Sequence, residues 1–287
     1  MSENIKISNG KSDAVISIRG AELTSLISNG REVIWQADPA VWPKHCPNLF
    51  PICGGLRDDK FIFEGKEYTL LKHGYAAATE FDVESKTETS VTFLHTSNEE
   101  TLKSFPFTYE LRIVYTLNGS DLKVDYNVKN TGNGDMYFSI GAHEGYNCKG
   151  GLKNYTICFE KDEDFMATPV SGPLLMHEEH QVSPSGRELP LKDELFAVDA
   201  LVFRNANSKS AHIRENATGK IMASVEFKDF NELLIWTKPG SEYICIEPWC
   251  GIPDYTDSDY DITKKPGILK LALGDVTVKT HTITIGE

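Results

Sequence analysis

The stretch Glu242–Gly251, EYICIEPWCG, reads as a β-strand that ends on a charged residue. Its β-branched and aromatic residues favour extended backbone, in which side chains alternate between two faces. Tyr243, Cys245, Glu247 and Trp249 then point one way, while Ile244 and Ile246 point the other, toward a core. Upstream, NELLIWTKPGSEY (231–243) supplies a second apolar run ending in Pro239-Gly240, the pair that suits the central positions of a type II turn. The two runs are expected to form a hairpin pairing Trp236 with Tyr243 and Leu234 with Cys245, so that Trp236 and Glu247 share one sheet face. Pro248 has no N–H for a ladder, which predicts that the strand stops or meets an edge there and leaves Glu247 at a rim. A lone strand-end Glu reads as a surface carboxylate. Flanked by aromatics it reads instead as a partly desolvated group, a stronger base at neutral pH.

Working outward, SVTFLHT, LRIVYTL, LKVDYNVKN, NYTICFE, KIMASVEF and LLIWTK are short runs of the same character, separated by Gly, Asn, Asp and Pro. With LNGSD and NTGNGD as turns, they predict an all-β, large, mostly antiparallel β-sandwich or barrel. No long segment shows a 3.6-residue period, and GRELPLKDELFAVDALVF has room for one helical turn beside Pro190. No repeat or linker divides the chain, so residues 1–287 are expected to form one domain.

The 287 residues are 40% hydrophobic, enough for a substantial core. With 29 basic against 42 acidic residues the net charge is -13, which argues against nucleic acid or an anionic membrane surface as a partner. The first residues lack a basic then apolar signal pattern, and no apolar run reaches the roughly 20 residues that span a bilayer, so a cytoplasmic protein is expected. The six cysteines form no C-x-x-C pair and read as buried apolar residues, with no metal site expected. Monomer and homodimer are both open.

Two further places carry polar chemistry. In MYFSIGAHEGYN (136–147), Tyr137, Ser139, Gly141 and His143 share a face, and the small Ser139 and Gly141 suggest a hollow for a ligand beside the imidazole. In CGGLRDDKFIFEGKEYTLLKHGYAA (53–77), a hairpin turning at Glu64-Gly65 leaves Arg57 before its first strand and His73 just after its second. Each of these residues also has an ordinary reading: a structural histidine, a loop imidazole, a solvated arginine.

Taken together, CGGLRDDKFIFEGKEYTLLKHGYA, IGAHEGYN, LFAVDALVF, LLIWTKPG and CIEPWCGIPD stand in an order and spacing that resembles the aldose 1-epimerases (galactose mutarotases), most nearly their LacX-like bacterial branch, from about Trp35 to the C-terminus. The resemblance implies a sugar cleft on one sheet of a β-sandwich. It implies Glu247 as general base, His143 as general acid, His73 and Arg57 as sugar-binding groups, Asp199 as an acceptor for a sugar hydroxyl, and Trp236 as an aromatic along the sugar's apolar face. Two departures stand out. HGYAA carries Ala77 where the branch commonly has arginine, and AHEGY carries Glu144 where proline is usual. A carboxylate beside His143 would raise the imidazole's proton affinity if it pointed the same way.

Mutarotation requires a base on the anomeric hydroxyl and an acid on the ring oxygen, and it needs no metal, nucleotide or other cofactor. Glu247 and His143 meet that demand on a monosaccharide. Three other readings compete. A glycosidase would need a second acid in comparable context. A carbohydrate-binding or sensing protein would keep the cleft without turnover. A sugar-phosphate mutarotase would need cations near the motifs, where Arg57, Lys60 and Lys72 are the candidates.

Overall fold

A computed structural model describes residues 3–286 and shows the expected antiparallel β-sandwich. Its largest layer is a nine-stranded sheet running Gly186–Pro190, Tyr155–Glu163, Ser210–Glu215, Ile221–Glu226, Val276–Ile285, Asp121–Asn130, Tyr109–Asn118, Ser90–Thr96 and Asp82–Lys86. The central strands alternate buried and half-covered residues, as a sheet with one core face must. Asn118 pairs with Asp121 around Gly119-Ser120, and Gly119 sits at φ 61°, the turn foreseen from LNGSD.

Facing this layer is a smaller sheet in which Tyr243–Cys250 lies between Glu232–Trp236 on one side and the two short strands Ile140–Gly141 and Glu144–Asn147 on the other; Leu201–Arg204 completes it. Ile244, Ile246 and Cys250 join the main core with Ile213, Val225 and Ile283 of the large sheet. Trp249 belongs to a separate apolar cluster with Leu49, Val202 and Leu234 on the outer face. A four-stranded sheet, Asn4–Ser8, Ser12–Ser17, Glu22–Ser28 and Arg31–Glu32, flanks these layers.

Local chemistry explains the details. Glu64 and Gly65 both have positive φ, which closes the Lys60–Phe63 and Lys66–Thr69 hairpin as a two-residue turn. The single helical turn expected near Pro190 is a 3-10 turn, Asp193–Phe196. Glu99–Ser104 is an α-helix that the sequence reading missed. It is too short to show a period and owes its start to Asn98, which accepts from Glu100 and Thr101 backbone N–H groups while Thr101 Oγ1 accepts from Asn98 N–H. No helix among the described residues is long and apolar enough to cross a membrane.

Two expectations about the deciding hairpin need correction. Pro239-Gly240 does form the centre of a turn, with Ser241 N–H donating to Lys238 O and Gly240 at φ 81°. The ladder, however, pairs Trp236 with Cys245 and Leu234 with Glu247, two residues further along than expected. Side chains close the loop instead of ladder bonds: Thr237 Oγ1 donates to Tyr243 O at 2.6 Å, and Lys238 N–H donates to the Tyr243 hydroxyl at 3.2 Å. A shift of two keeps the facing, so Trp236 and Glu247 still share one face. Second, the strand does not stop at Pro248. It continues to Cys250 through the interior of the sheet, and Glu247 is buried mid-strand.

Candidate active site

Glu247, Pro248 and Trp249 form one device. Strand pairing toward Ile140–Asn147 is interrupted after Gly141 and resumes at Glu144 in the same register, which sets Ala142 opposite Pro248 and His143 opposite Glu247. Ala142 N–H donates to Pro248 O at 3.1 Å, but Pro248 has no N–H to return to the Ala142 carbonyl. The next residue supplies it: Trp249 Nε1–H donates to Ala142 O at 3.0 Å. A buried carbonyl left unpaired would cost about 1–3 kcal/mol. The ladder gap thereby frees the backbone at His143 while the Ala142 carbonyl keeps a donor.

The result is a contact between His143 Nε2 and Glu247 Oε2 at 3.5 Å, with only 11% and 2% of the two side chains exposed. Both line a cleft of about 1110 Å³ on the outer face of the smaller sheet, together with His73, Trp236, Asp199 and Trp42. That size is near the upper end for small-molecule sites. At 3.5 Å the two groups leave no room for a ring between them. A ligand that meets both groups must lie over the pair.

Aromatic rings fix the imidazole. Trp42 stacks on His143 with centroids 5.2 Å apart, and Trp236 and His73 meet it edge-on at 5.7 Å each. The sequence reading took the small residues near His143 as space for a ligand; the structure gives them another use. A Cβ at Gly141 would stand 2.6 Å from Trp249 Cδ1, and one at Gly145 would stand 2.9 Å from Trp42 Cζ3. Gly145 thus admits Trp42, which stacks on His143, and Gly141 admits Trp249, which meets His73 edge-on at 5.5 Å. Ser139 packs against Gly251 and does not line the cleft.

Burial sets the electrostatics. Desolvation pushes the Glu247 carboxyl well above the usual carboxylate range; Lys72 opposes this, and Glu144 and Asp199 add to it. Desolvation also drives His143 down to about 3, with Lys72 adding to the effect. Burial thus favours the protonated carboxyl and the neutral imidazole, and two groups in contact titrate as a unit. Burial holds His73 well below its ordinary range as well. Gly54 N–H donates to His73 Nδ1 at 3.1 Å, so that nitrogen is an acceptor and the ring proton of the neutral imidazole is on Nε2. His73 adopts φ 69°, a conformation uncommon outside glycine.

The remaining expected residues divide. Trp236 and Asp199 line the cleft, and Asp199 Oδ1 accepts from Ala200 N–H at 2.8 Å. Arg57 does not line it. Its backbone N–H is pinned to Asp254 Oδ2, its guanidinium donates to Ser258 O at 2.8 Å, and the group lies 4.9 Å above the Tyr260 ring. Asp254 is itself fixed by a buried ion pair with Lys265 at 2.6 Å. Glu144 also departs from expectation: it points away from His143, into the core, toward His281. Lys72, a cation candidate from sequence, lines the cleft, and so do Trp42 and Lys44, which the sequence did not single out. Trp42 sits in a loop without strand pattern, and no spacing rule ties it to His143.

His143, Cys245 and Glu247 offer donor atoms within 4.8 Å of one another. Burial keeps the Cys245 thiol far above its usual range and thus protonated, which suits packing more than metal ligation. What the geometry offers chemically is one acid and one base side by side.

Trp249→Phe retains the ring and removes the donor to Ala142 O. Thermal or urea unfolding is expected to show a loss of about 1–3 kcal/mol, and an unchanged midpoint would remove the assigned role of the indole N–H.

Comparison with known proteins agrees with this architecture. The sequence profile of the aldose 1-epimerase family matches residues 3–269. The plasmid-borne LacX protein of Lactococcus lactis subsp. lactis is 34% identical over 281 residues, 93% of this chain and 94% of the relative. A galactose mutarotase related enzyme from Lactobacillus acidophilus superposes with a TM-score of 0.89 at 30% identity, covering 99% of this chain and 97% of the other. A galactose mutarotase-like protein from Lactobacillus casei ATCC 334 gives 0.93 at 29% identity, covering 99% and 100%. By fold and by sequence along nearly its whole length, this chain belongs to the aldose 1-epimerase family.

Proposed function

We propose that the protein interconverts the α and β anomers of a free aldose by acid–base ring opening, without a cofactor. The observation that carries this reading is the buried His143–Glu247 contact at 3.5 Å on the cleft floor. The anomeric hydroxyl and the ring oxygen are borne on the same carbon, so one sugar edge can meet both groups. Glu247 takes the anomeric proton while His143 gives one to the ring oxygen; the C1–O5 bond breaks and the open aldehyde forms. Rotation about the C1–C2 bond presents the other carbonyl face, and the reverse transfers close the ring.

The number of protons on the pair is the same throughout. In the open-chain state Glu247 is protonated and His143 neutral, which is the distribution that burial favours. Ring opening therefore starts from the less favoured arrangement, with the proton on His143 and Glu247 ionised, and ends on the favoured one, so the proton passes from carboxyl to imidazole within the pair before each turnover. The Nε2–H of His73 donates to a sugar hydroxyl, Asp199 accepts from another, and Trp236 and Trp42 cover the apolar face of the ring. Arg57, held by Ser258 and Tyr260, has no part in this scheme.

A second reading, a phosphorylated aldose as substrate, is favoured by one observation: Lys44 and Lys72 are exposed cations that line the cleft. Lys60, considered with Arg57 and Lys72 from sequence, is instead paired with Glu67 at 3.0 Å.

Polarimetry on freshly dissolved α-glucose and α-galactose tests the proposal, with acceleration over buffer as the expected result. Shifted ligand signals without acceleration would mark a binding protein. Glu247→Gln is expected to lose about 10²–10⁴ in rate with folding intact, and His143→Asn a similar amount. Near-wild-type rates in either would remove that residue's role. The pH profile is expected to be level through neutrality. On the acid side it should fall as a second proton enters the pair, toward the His143 value of about 3. On the alkaline side it should fall as the single proton leaves, above the ordinary carboxylate range because Glu247 is pushed up. A single limb at an unperturbed carboxylate value would contradict the shared proton. Exchange NMR on galactose and galactose 6-phosphate in parallel separates the two substrates, and a tenfold preference for the phosphate would select the second reading.

A further inference from the structure

Behind the reacting pair lies a second buried acid–imidazole pair that the mechanism does not use. Glu144 follows His143 directly and points to the opposite side of its strand, into the core. Its Oε1 is 2.8 Å from His281 Nε2, and the two side chains are 5% and 0% exposed. His281 belongs to Val276–Ile285 in the nine-stranded sheet, where its ring stacks on Tyr126 at 5.7 Å and meets Phe230 edge-on. The contact therefore spans the two layers of the sandwich. Although short, it is not aligned as a straight N–H···O bond, and His281 Nδ1, Glu144 Oε2 and the Tyr146 hydroxyl have no hydrogen-bond partner among the described residues. An attraction of that kind holds through charge more than through direction.

We propose that Glu144, held by His281, is a positioning residue of the reaction: it ties the strand that carries His143 to the long sheet and places a carboxylate behind Glu247. This rests on the acid–base reading above. Glu144 pairs in the ladder with Ile246, the residue before Glu247. Among the charges that act on the Glu247 carboxyl it is the largest that strengthens its hold on the proton. The groups facing Glu247 from other elements are His143, Lys72, Asp199 and Cys53, with Cys245 on its own strand. Those on which the Glu144 charge acts, besides Glu247, are Tyr126, Tyr115, Cys46 and Cys245, with Tyr146 on its own strand, and His281 is in contact with it. Lys72 pulls the proton off from the solvent side, and Glu144 counters it from the core side. Burial remains the larger influence on the pair, and these two charges act on top of it.

The sign follows directly. Removing a negative charge near the pair weakens its proton affinity, so the second proton enters at lower pH and the single proton leaves at lower pH. In Glu144→Gln, which keeps the size of the side chain, both limbs of the pH–rate profile move down together. An effective dielectric of about 20 gives a shift of roughly one to one and a half units for a charge about 8–12 Å away, on the far side of a strand. A role in packing alone would lower stability or the rate without moving the limbs. The titration of the ¹³C-labelled Glu247 side-chain carboxyl, assigned by its loss in Glu247→Gln, reads the same shift without any turnover. Should Glu144→Gln fail to fold, Glu144→Gln combined with His281→Gln gives a neutral pair of similar span, and a downward shift no larger than that of the single variant is expected. An unmoved Glu247 midpoint in the folded variant overturns the proposal. Absence of sugar turnover in the unaltered protein would instead sink the proposed function, and the carboxyl titration would still decide the role of Glu144.

Discussion

The site depends on one absent hydrogen-bond donor. Pro248 cannot serve the carbonyl of Ala142, and the strand beside it is broken at that point. Because Trp249 returns the missing donor through its indole, the break is tolerated in a fully buried sheet. An uninterrupted ladder would hold residue 143 in the regular pleat; the gap instead lets the imidazole stand against Glu247 at 3.5 Å. The three letters Glu-Pro-Trp are thus a reacting group, a deliberate gap and its repair.

Around that gap the structure invests in keeping water out. Two glycines admit two tryptophans, and the rings of Trp42, Trp236 and His73 surround His143. Desolvation of an isolated carboxylate and an isolated imidazolium would be severe, and the pair escapes it by sharing one proton and remaining neutral overall. Transferring that proton inside the pair changes no net charge, so the same dry environment tolerates both forms that ring opening needs. The two layers of the sandwich are linked at this point as well, since Glu144 reaches from the strand of His143 to His281 on the large sheet.

Much of this was legible one residue at a time. The two-residue period of EYICIEPWCG placed Ile244 and Ile246 in the core and Glu247 on the other face, and the two-residue slip in the hairpin register preserved that assignment. Glu64-Gly65, Gly119 and Pro239-Gly240 announced their turns because backbone sterics select those residues locally. The helix at Glu99–Ser104 escaped because capping, not periodicity, creates it. Arg57 was assigned to the cleft by its neighbours in sequence, whereas Asp254, Ser258 and Tyr260, some two hundred residues later, hold it elsewhere.

The sequence by itself determined the all-β class, the facing of the strand that carries Glu247 and the family, because these follow from side-chain alternation, turn sterics and motif order, all local in the chain. Only the tertiary structure decided that Glu247 is buried mid-strand and not at a rim, that Trp42 covers His143, and that Glu144 faces the core. Those outcomes depend on which distant segment lies across a given residue. The energies that settle them, desolvation and the satisfaction of single buried polar groups, arise only once the layers have closed.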